Sequence, residues 1–167
     1  GEKPLPEQAK KNRESFLTLH KNWEYKLWGE EDVLGVIEEF RLNFLNDQNC
    51  DDNSENFDNI KNYCNKTKNL QDILSVVQNT KLNPAYRSDV LRYVILYIFG
   101  GLYIDIDFTC LQPFDKLHEQ PSLQFYSGLA SVGFFEINNG LIGCAKNCDV
   151  MKFIIEKLFI EYESWGG

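Results

Sequence analysis

The stretch from residue 83 to residue 107 constrains the fold more than any other part of this sequence. It begins with Asn83, a good helix N-cap, and Pro84, which suits the first helical position. A long apolar run then ends at Gly100-Gly101, and glycines at such a point both close a helix and turn the chain. The stretch therefore predicts a largely buried helix that leads directly into a strand over 102–108.

The rest of the sequence alternates helical and extended patterns. Apolar residues at helical spacing predict further helices over 7–20, 33–45, 69–80 and 149–162. Alternating apolar residues predict a strand over 22–28. A short apolar strand is expected at 141–142, after a loop around Asn138-Asn139-Gly140. This alternation of helices with short strands indicates the α/β class.

Composition limits the class of protein and its partners. With 167 residues, 43% of them hydrophobic, the chain is expected to form a single domain over 1–167 with a real core. A net charge of -8 argues against nucleic acid as a partner. No apolar run reaches the roughly 18 residues that span a bilayer, so no transmembrane segment is expected. The odd count of five cysteines favours a reducing compartment over a disulfide framework.

An acidic, amide-rich segment near 46–68 has no hydrophobic period, and we expect a solvated insertion there. A calcium-binding loop that begins at Asp51 is the alternative, because Asp51, Asn53 and Glu55 fall on alternate positions. Such a loop requires a glycine where Asn56 stands, and a glutamate where Asn62 stands. An acidic calcium-binding interaction domain is therefore the less favoured alternative for this chain.

Asp105 and Asp107 place two carboxylates on a stretch that otherwise looks buried. A strand period of two puts them on one face, with Cβ atoms roughly 6–7 Å apart. A hard divalent cation, Mg²⁺ or Mn²⁺, would relieve their repulsion, because both cations prefer carboxylate oxygens together with phosphates of a ligand. The alternative is that one aspartate caps a turn while the other is exposed.

Asp89 and Arg92 lie three residues apart on the predicted helix and therefore share one of its faces. Buried charges need partners or ligands, so these two either pair with each other or bind a ligand. Because Gly100-Gly101 turns the chain from helix to strand, we expect both charged sets to face one cleft at the end of the strand. Open α/β sheets bind ligands at that position.

These residues together resemble the sugar-binding region of the D-x-D glycosyltransferases, the group that contains yeast-type initiating α-mannosyltransferases and the catalytic domains of large clostridial glucosylating toxins. The resemblance lies in AYRSDVLRYVILYIFGGLYIDIDF, residues 85–108. Weaker matches are GEKPLPE, NWEYKLWGEEDV, LQPFD and NNGLIGCAKNCDVM. The matching positions of the central pattern are Ser88, Asp89, Arg92, Gly100, Gly101, Tyr103, Asp105 and Asp107.

The resemblance implies a GT-A-like nucleotide-sugar-binding fold with a mixed sheet flanked by helices. It also implies a retaining transferase that uses Mn²⁺ or Mg²⁺ to move a hexose from a UDP- or GDP-sugar to a glycan, lipid or protein acceptor. The family's opening Ile-Pro-x-x-Ile-His-x-x-Trp strand is not found before Gly1, and its closing loop is not recognisable after Tyr162. We therefore expect an incomplete catalytic domain, with a catalytically inactive module that binds nucleotide sugar or a protein partner as the alternative.

The resemblance also implies roles for single residues. Asp107 becomes the direct metal ligand, and Asp105 supports the metal and contacts the ribose or sugar of the donor, so that both are catalytic. Asp89 and Arg92 hydrogen-bond the hydroxyls of the transferred sugar, and Tyr103 lies near the donor. Asn139 is a further candidate for a sugar contact, with a plain turn residue before Gly140 as the equal alternative.

Overall fold

The computed structural model describes residues 5–46, 71–130 and 136–158. The expected insertion near 46–68, with its calcium-binding alternative, lies outside these ranges beyond Asn46. In chain order the helices and strands are α1 (Glu7–Leu19), α2 (Val33–Asn46), α3 (71–78), α4 (Pro84–Phe99), β1 (Gly101–Ile104), α5 (Asp115–His118), β2 (Phe125–Ala130), β3 (Glu136–Cys144) and α6 (Asp149–Lys157).

The chain divides into two compact units. The first unit comprises Gly1–Leu27 and Gly101–Ala145, and the second comprises Trp28–Gly100 and Lys146–Gly167. The sheet and α1 belong to the first unit, and the long helix α4 belongs to the second. The expectation of a single domain over the whole chain stays a prediction.

In the second unit, α4 has the boundaries that its sequence predicts. The side chain of Asn83 accepts a hydrogen bond from the Ala85 N–H at 2.9 Å. At the other end, Gly100 has a φ of 68° and its N–H donates to the Leu96 carbonyl at 2.9 Å. Both caps are local, which explains why the residue types alone located this helix.

The core of the second unit forms around α4, which packs against α2 and α6. The ring of Phe40 from α2 meets the ring of Tyr97 edge-on, with centroids 6.2 Å apart. The fully buried side chains of this unit are apolar or aromatic, and their burial is the main source of its stability. They include Phe40, Ile73, Val77, Val90, Val94, Leu96, Tyr97, Ile98, Met151 and Ile155.

Arg87 is a buried cation in the second unit, and it is hydrogen-bonded to a carboxylate and to a backbone carbonyl. Its guanidinium donates to both carboxylate oxygens of Glu30, at 2.6 and 2.8 Å. It also donates to the Val77 carbonyl, from Nε at 3.0 Å and from a terminal nitrogen at 2.8 Å. Hydrogen bonding to Arg87 holds the pKa of Glu30 below its usual value. The same bonds raise the pKa of Arg87.

The first unit contains a three-stranded sheet in the order β1-β3-β2, and both pairings are antiparallel. Gly143 of β3 has no side chain where the ring of Tyr126 from the neighbouring strand packs. Burial raises the pKa of Tyr126 to about 12, with a smaller contribution from Cys144. Helices together with this sheet confirm the α/β class.

Aromatic packing attaches α1 to the segment after β1 within the first unit. His20 is buried, and its ring lies 6.0 Å from that of Phe16 and 5.9 Å from that of Phe114. Its Nδ1 lies 3.0 Å from the Phe16 carbonyl, and its Nε2 accepts the Phe114 N–H at 2.9 Å. His20 is therefore a structural residue whose two ring nitrogens both lie within hydrogen-bond distance of the backbone.

The predicted strand over 22–28 is wrong, because these residues are irregular in the structure. Side-chain contacts fix them instead. The Trp23 Nε1–H donates to Asp115 at 2.9 Å, and the Arg13 guanidinium lies 4.9 Å from the centre of the Tyr25 ring. Alternating apolar residues indicate a half-buried extended segment, but only a partner strand turns such a segment into sheet.

Candidate functional site

The two aspartates lie in a turn and not on one strand, which corrects the expectation for 102–108. Strand β1 ends at Ile104. The Asp105 N–H donates to the Gly140 carbonyl at 2.8 Å, and the Phe108 N–H then donates back to the Asp105 carbonyl at 3.2 Å. A bond of this kind between the first and fourth residues closes a β-turn. We call Asp105–Phe108 the D-I-D turn.

Asp105 is held tightly inside the first unit. The Tyr103 hydroxyl donates to its Oδ1 at 2.9 Å. Its other oxygen, Oδ2, occupies the space that a side chain on residue 140 would fill, because a Cβ built on Gly140 would lie 2.6 Å from it. Tyr103 and Asp105, which both belong to the family pattern, are thus in contact, and Gly140 is a neighbour that the sequence did not reveal.

Gly140 lies opposite Asp105 because the regular antiparallel register of β1 and β3, which pairs Ile104 with Leu141, continues by one residue into the turn. The pairing of β3 with β2, in contrast, is irregular at this point. Along β2, Ser127 pairs with Ile142 while the next residue, Gly128, pairs with Asn138. Three residues of β3 therefore lie between partners that are adjacent on β2. The expected loop around Asn138-Asn139-Gly140 is thus wrong, because these residues form a bulge inside a long strand. Bulges bend a strand and redirect its side chains, and they are common beside active sites.

Hydrogen bonds within the bulge fix its shape. The Ser127 hydroxyl lies within hydrogen-bond distance of two β3 carbonyls, those of Asn138 at 2.8 Å and Leu141 at 3.1 Å. The Asn138 side chain accepts the Gly140 N–H at 2.7 Å. Asn139 is exposed beside Gly140. Its role as a sugar contact stays a prediction.

Asp107 differs from Asp105 in being exposed, and Ile106 between them is 51% exposed. Within the described ranges, no group of three or more His, Cys, Asp or Glu side chains is placed to hold a metal ion. Mg²⁺ in transferases is typically bound by one or two carboxylates, with substrate phosphates and water completing the shell. The oxygen donors of Asp105 and Asp107 fit that chemistry.

Asp89 and Arg92 form an ion pair on α4 in the second unit. A terminal nitrogen of Arg92 lies 2.6 Å from Asp89 Oδ1, and the side chain of Arg92 is buried while that of Asp89 is 43% exposed. The interpretation that Asp89 and Arg92 pair with each other is therefore confirmed. Their binding of a sugar, and a cleft shared with the aspartates of the turn, stay predictions.

A small cavity of about 20 Å³ lies between α1 and the D-I-D turn. Its lining includes Asn12, Arg13, Tyr25 and Asp105. Cavities that bind small molecules measure roughly 300–1,000 Å³, whereas one water needs about 10–15 Å³. This cavity therefore suits a single water behind Asp105, and a nucleotide sugar does not fit in it.

Comparisons with known proteins agree with the pattern around the turn. The model of the glycosyltransferase sugar-binding region containing the DXD motif matches residues 6–124. A mannosyl phosphorylinositol ceramide synthase of Saccharomyces cerevisiae is 28% identical over 83% of this chain and 27% of its own length. An inositol phosphoceramide mannosyltransferase of Schizosaccharomyces pombe is 30% identical over 70% of this chain and 25% of its own length.

A viral relative is similar over more of its own length. An uncharacterized glycosyltransferase of Acanthamoeba polyphaga mimivirus is 24% identical over 96% of this chain and 52% of its own length. The chain thus spans about a quarter of the yeast relatives and about half of the viral one. No solved structure matches the chain significantly.

Across 5–46, 71–130 and 136–158, no helix has both the length and the apolar character that crossing a membrane requires.

The family model covers well over half of the chain, including the segment with Ser88, Asp89, Arg92, Tyr103 and both aspartates of the turn. The observed helices and antiparallel sheet agree with part of a GT-A-like domain. The chain belongs to the family of glycosyltransferases whose sugar-binding region contains the DXD motif.

Proposed function

We propose that this protein is a metal-dependent transferase that moves a hexose from a nucleotide sugar to an acceptor, with retention of anomeric configuration. The observation that carries the proposal is the D-I-D turn, in which Tyr103 and Gly140 fix Asp105 while Asp107 stays exposed. A fixed carboxylate beside an exposed one fits a site that binds a cation together with the phosphates of its ligand.

Asp107 and Asp105 are the proposed ligands of Mn²⁺ or Mg²⁺ and the proposed catalytic pair. When bound, the cation would supply positive charge to offset the charge of the diphosphate leaving group. Tyr103 would keep Asp105 in one orientation through its 2.9 Å hydrogen bond. Because a carboxylate accepts more than one bond, the Tyr103 bond to Oδ1 is compatible with a further contact from Asp105 to the cation or to the ribose of the donor.

Asp89 and Arg92 are the proposed contacts to the transferred sugar. Their mutual ion pair is compatible with that role, because the Asp89 side chain is 43% exposed and a carboxylate accepts more than one hydrogen bond. The bond to Asp89 would fix the guanidinium of Arg92, so that less conformational freedom is lost on binding. Asn139 is proposed as an additional sugar contact on the basis of its exposed position in the bulge.

The names of the relatives refine the proposed substrates. The yeast relatives are named for mannosyl transfer and for inositol phosphoceramide. We therefore propose a mannosyl donor as the first choice among UDP- and GDP-hexoses, and a lipid that carries an inositol phosphate group as the first acceptor to test. A glycan or a protein remains the alternative acceptor.

Donor binding tests the proposal directly. Thermal unfolding of the protein should be followed with GDP-mannose and with UDP-glucose, each with Mn²⁺ and with EDTA. A donor at about 100 times its Kd stabilises a protein by about 2.7 kcal/mol. For 167 residues this raises Tm by roughly 5–10 °C. The rise is expected only with Mn²⁺.

Asp107→Asn should abolish the shift, because it removes the charge of the proposed direct ligand. Glu119→Gln is the matched control, since it neutralises another exposed carboxylate of the first unit and should keep the full shift. A donor-induced shift that is equal in EDTA and survives Asp107→Asn would refute the proposed metal-dependent site.

The second candidate function is a catalytically inactive module that binds nucleotide sugar or a protein partner. A module that binds nucleotide sugar would show the same Mn²⁺-dependent Tm shift but would release no free sugar from the donor. A module that binds only a protein partner would show neither the shift nor the release. Turnover therefore separates the transferase from either kind of module.

A further inference from the structure

Asn12 is a buried amide in the middle of α1. Only 3% of its surface is exposed. Asparagine is a poor residue for the interior of a helix, since its side chain competes for backbone hydrogen bonds. A buried amide is also costly unless it is hydrogen-bonded. We therefore expect the Asn12 amide to hydrogen-bond a group outside the helix.

The partner of Asn12 is the D-I-D turn. Its Nδ2 donates to the carbonyl of Ile106, the residue between the two aspartates, at 2.9 Å. Its Oδ1 accepts hydrogen bonds from the Thr109 hydroxyl at 2.8 Å and from the Gln8 amide at 3.0 Å. The orientation of the amide is fixed, because the Ile106 carbonyl accepts only and must face the NH₂ group.

The turn is thus held from two sides. On one side the Asp105 N–H donates to the Gly140 carbonyl of β3, and on the other Asn12 of α1 donates to the Ile106 carbonyl. The peptide units on either side of Ile106 set the directions in which Asp105 and Asp107 leave the backbone. The side chain of Asp105 is also held by the Tyr103 hydroxyl, whereas Asp107 is exposed and therefore depends more on the backbone for its position.

We propose that Asn12 is a positioning residue of the D-I-D turn: its amide fixes the Ile106 carbonyl and thereby the direction of the Asp105 and Asp107 carboxylates. The effect of Asn12 on cation and donor binding rests on the proposed function. Its hydrogen bond to the Ile106 carbonyl of the turn does not. Outer-shell residues that orient metal ligands typically change metal affinity by roughly 10- to 100-fold when they are replaced.

Asn12→Asp is the sharpest variant, because it keeps the shape of the side chain and its acceptor for Thr109 but removes the donor to Ile106. Asn12→Ser removes the same donor without adding a charge, and it serves if the first variant does not fold. Ser15→Ala is the matched control. Ser15 lies one turn further along α1. Its hydroxyl donates to the backbone carbonyl of Asn12 at 2.6 Å and accepts the Cys110 N–H at 2.8 Å, so Ser15→Ala removes bonds of α1 but leaves the Asn12 amide bonded to Ile106.

Two readouts test the proposal. The first is amide hydrogen exchange at Phe108, whose N–H closes the turn. We expect it to accelerate about tenfold in Asn12→Asp, the loss that corresponds to one buried hydrogen bond, and to stay unchanged in Ser15→Ala. The second is the Mn²⁺ concentration that half-saturates GDP-mannose binding, which should rise roughly 10- to 100-fold in the Asn12 variants alone.

Exchange at Phe108 that stays the same in both Asn12 variants would overturn the proposal. It would equally be overturned if exchange accelerates but the half-saturating Mn²⁺ concentration stays within about threefold of the wild-type value, since a merely structural residue behaves in that way. If the wild-type protein binds no donor with any cation, the proposed function fails. The exchange readout then still decides whether Asn12 holds the turn.

Discussion

Residue 140 has room only for a glycine, because the Asp105 carboxylate occupies the space that a side chain would fill. A Cβ at this position would lie 2.6 Å from Asp105 Oδ2 and 3.0 Å from Asn138 Oδ1. The nearest of these atoms belongs to a side chain and not to the backbone, so Gly140→Ala should push the carboxylate of Asp105 out of the position that Tyr103 holds and leave the fold intact. We predict that this variant needs roughly tenfold more Mn²⁺ for donor binding, a cost typical of outer-shell changes.

The matched control for that substitution is Gly128→Ala in β2 of the same sheet. A Cβ on Gly128 would meet its nearest neighbour at 3.7 Å, which is ordinary contact. Its Mn²⁺ requirement should equal that of the wild-type protein in the same titration. Equal requirements for Gly140→Ala and Gly128→Ala would show that the orientation of Asp105 does not limit cation binding.

The ion pair between Glu30 and Arg87 makes the stability of the second unit depend on pH. Hydrogen bonds from Arg87 hold the pKa of Glu30 below its usual value of 4.5. A carboxyl whose pKa is lowered on folding stabilises the native state above its unfolded pKa, and this stabilisation disappears as pH falls through the lower native pKa. The pair should therefore stabilise the protein at pH 7 and cease to do so in strong acid.

Glu30→Gln tests that dependence. Because the Glu30 side chain is 68% exposed, solvent screens the pair, and we expect a loss of only about 1 kcal/mol at pH 7. Denaturation at a series of pH values should show the difference from the wild-type protein shrinking below about pH 4.5, where Glu30 begins to be protonated. A difference that stays constant from pH 7 to pH 3 would contradict the assigned origin of the shift.

At the scale of elements, the junction between α4 and β1 depends on backbone conformations that favour glycine. Gly100 has a φ of 68° and Gly101 a φ of 94°. A Cβ on Gly101 would meet nothing within 4 Å, so the cost of Gly101→Ala is backbone strain alone. We predict a loss of about 1–2 kcal/mol in the free energy of unfolding, measured by denaturant titration.

Gly35→Ala should change the free energy of unfolding in the opposite direction in the same denaturant titration. Gly35 lies in α2 with open space around its Cα and without a positive φ, so alanine should stabilise that helix by roughly 0.5–1 kcal/mol. Two glycines with equally open surroundings should thus respond with opposite signs. A Gly101→Ala variant as stable as the Gly35→Ala variant would contradict the role of backbone strain at the junction.

Helices could be predicted from the sequence better than strands, for a physical reason. The N-cap, the proline and the terminal glycine of α4 act within the helix itself, so the sequence alone determined both ends. The extent of β1 and the irregular course of 22–28 depend on which segments pair with which. Alternation of apolar residues carries no information about a partner that is distant in the chain.

At the scale of the whole molecule, the motif indicated which residues to consider but not how they are arranged. The family pattern pointed to Tyr103, Asp105 and Asp107, and the bond between Tyr103 and Asp105 agrees with that grouping. The turn, the pairing of β1 with β3 that brings Gly140 to Asp105, and the bond from Asn12 arise from contacts between distant segments. A buried asparagine inside an amphipathic helix was the one local signal that could have revealed Asn12.

Turnover of the donor is the measurement that tests the central claim most directly. The purified protein should be incubated with GDP-mannose and Mn²⁺, and free hexose and nucleoside diphosphate should be quantified, with water as the acceptor. We expect equal amounts of both products, none of either in EDTA and none with Asp107→Asn, whereas Glu119→Gln should keep the wild-type rate. Mn²⁺-dependent binding of the donor without any release of sugar would contradict a transferase and leave the binding module in its place.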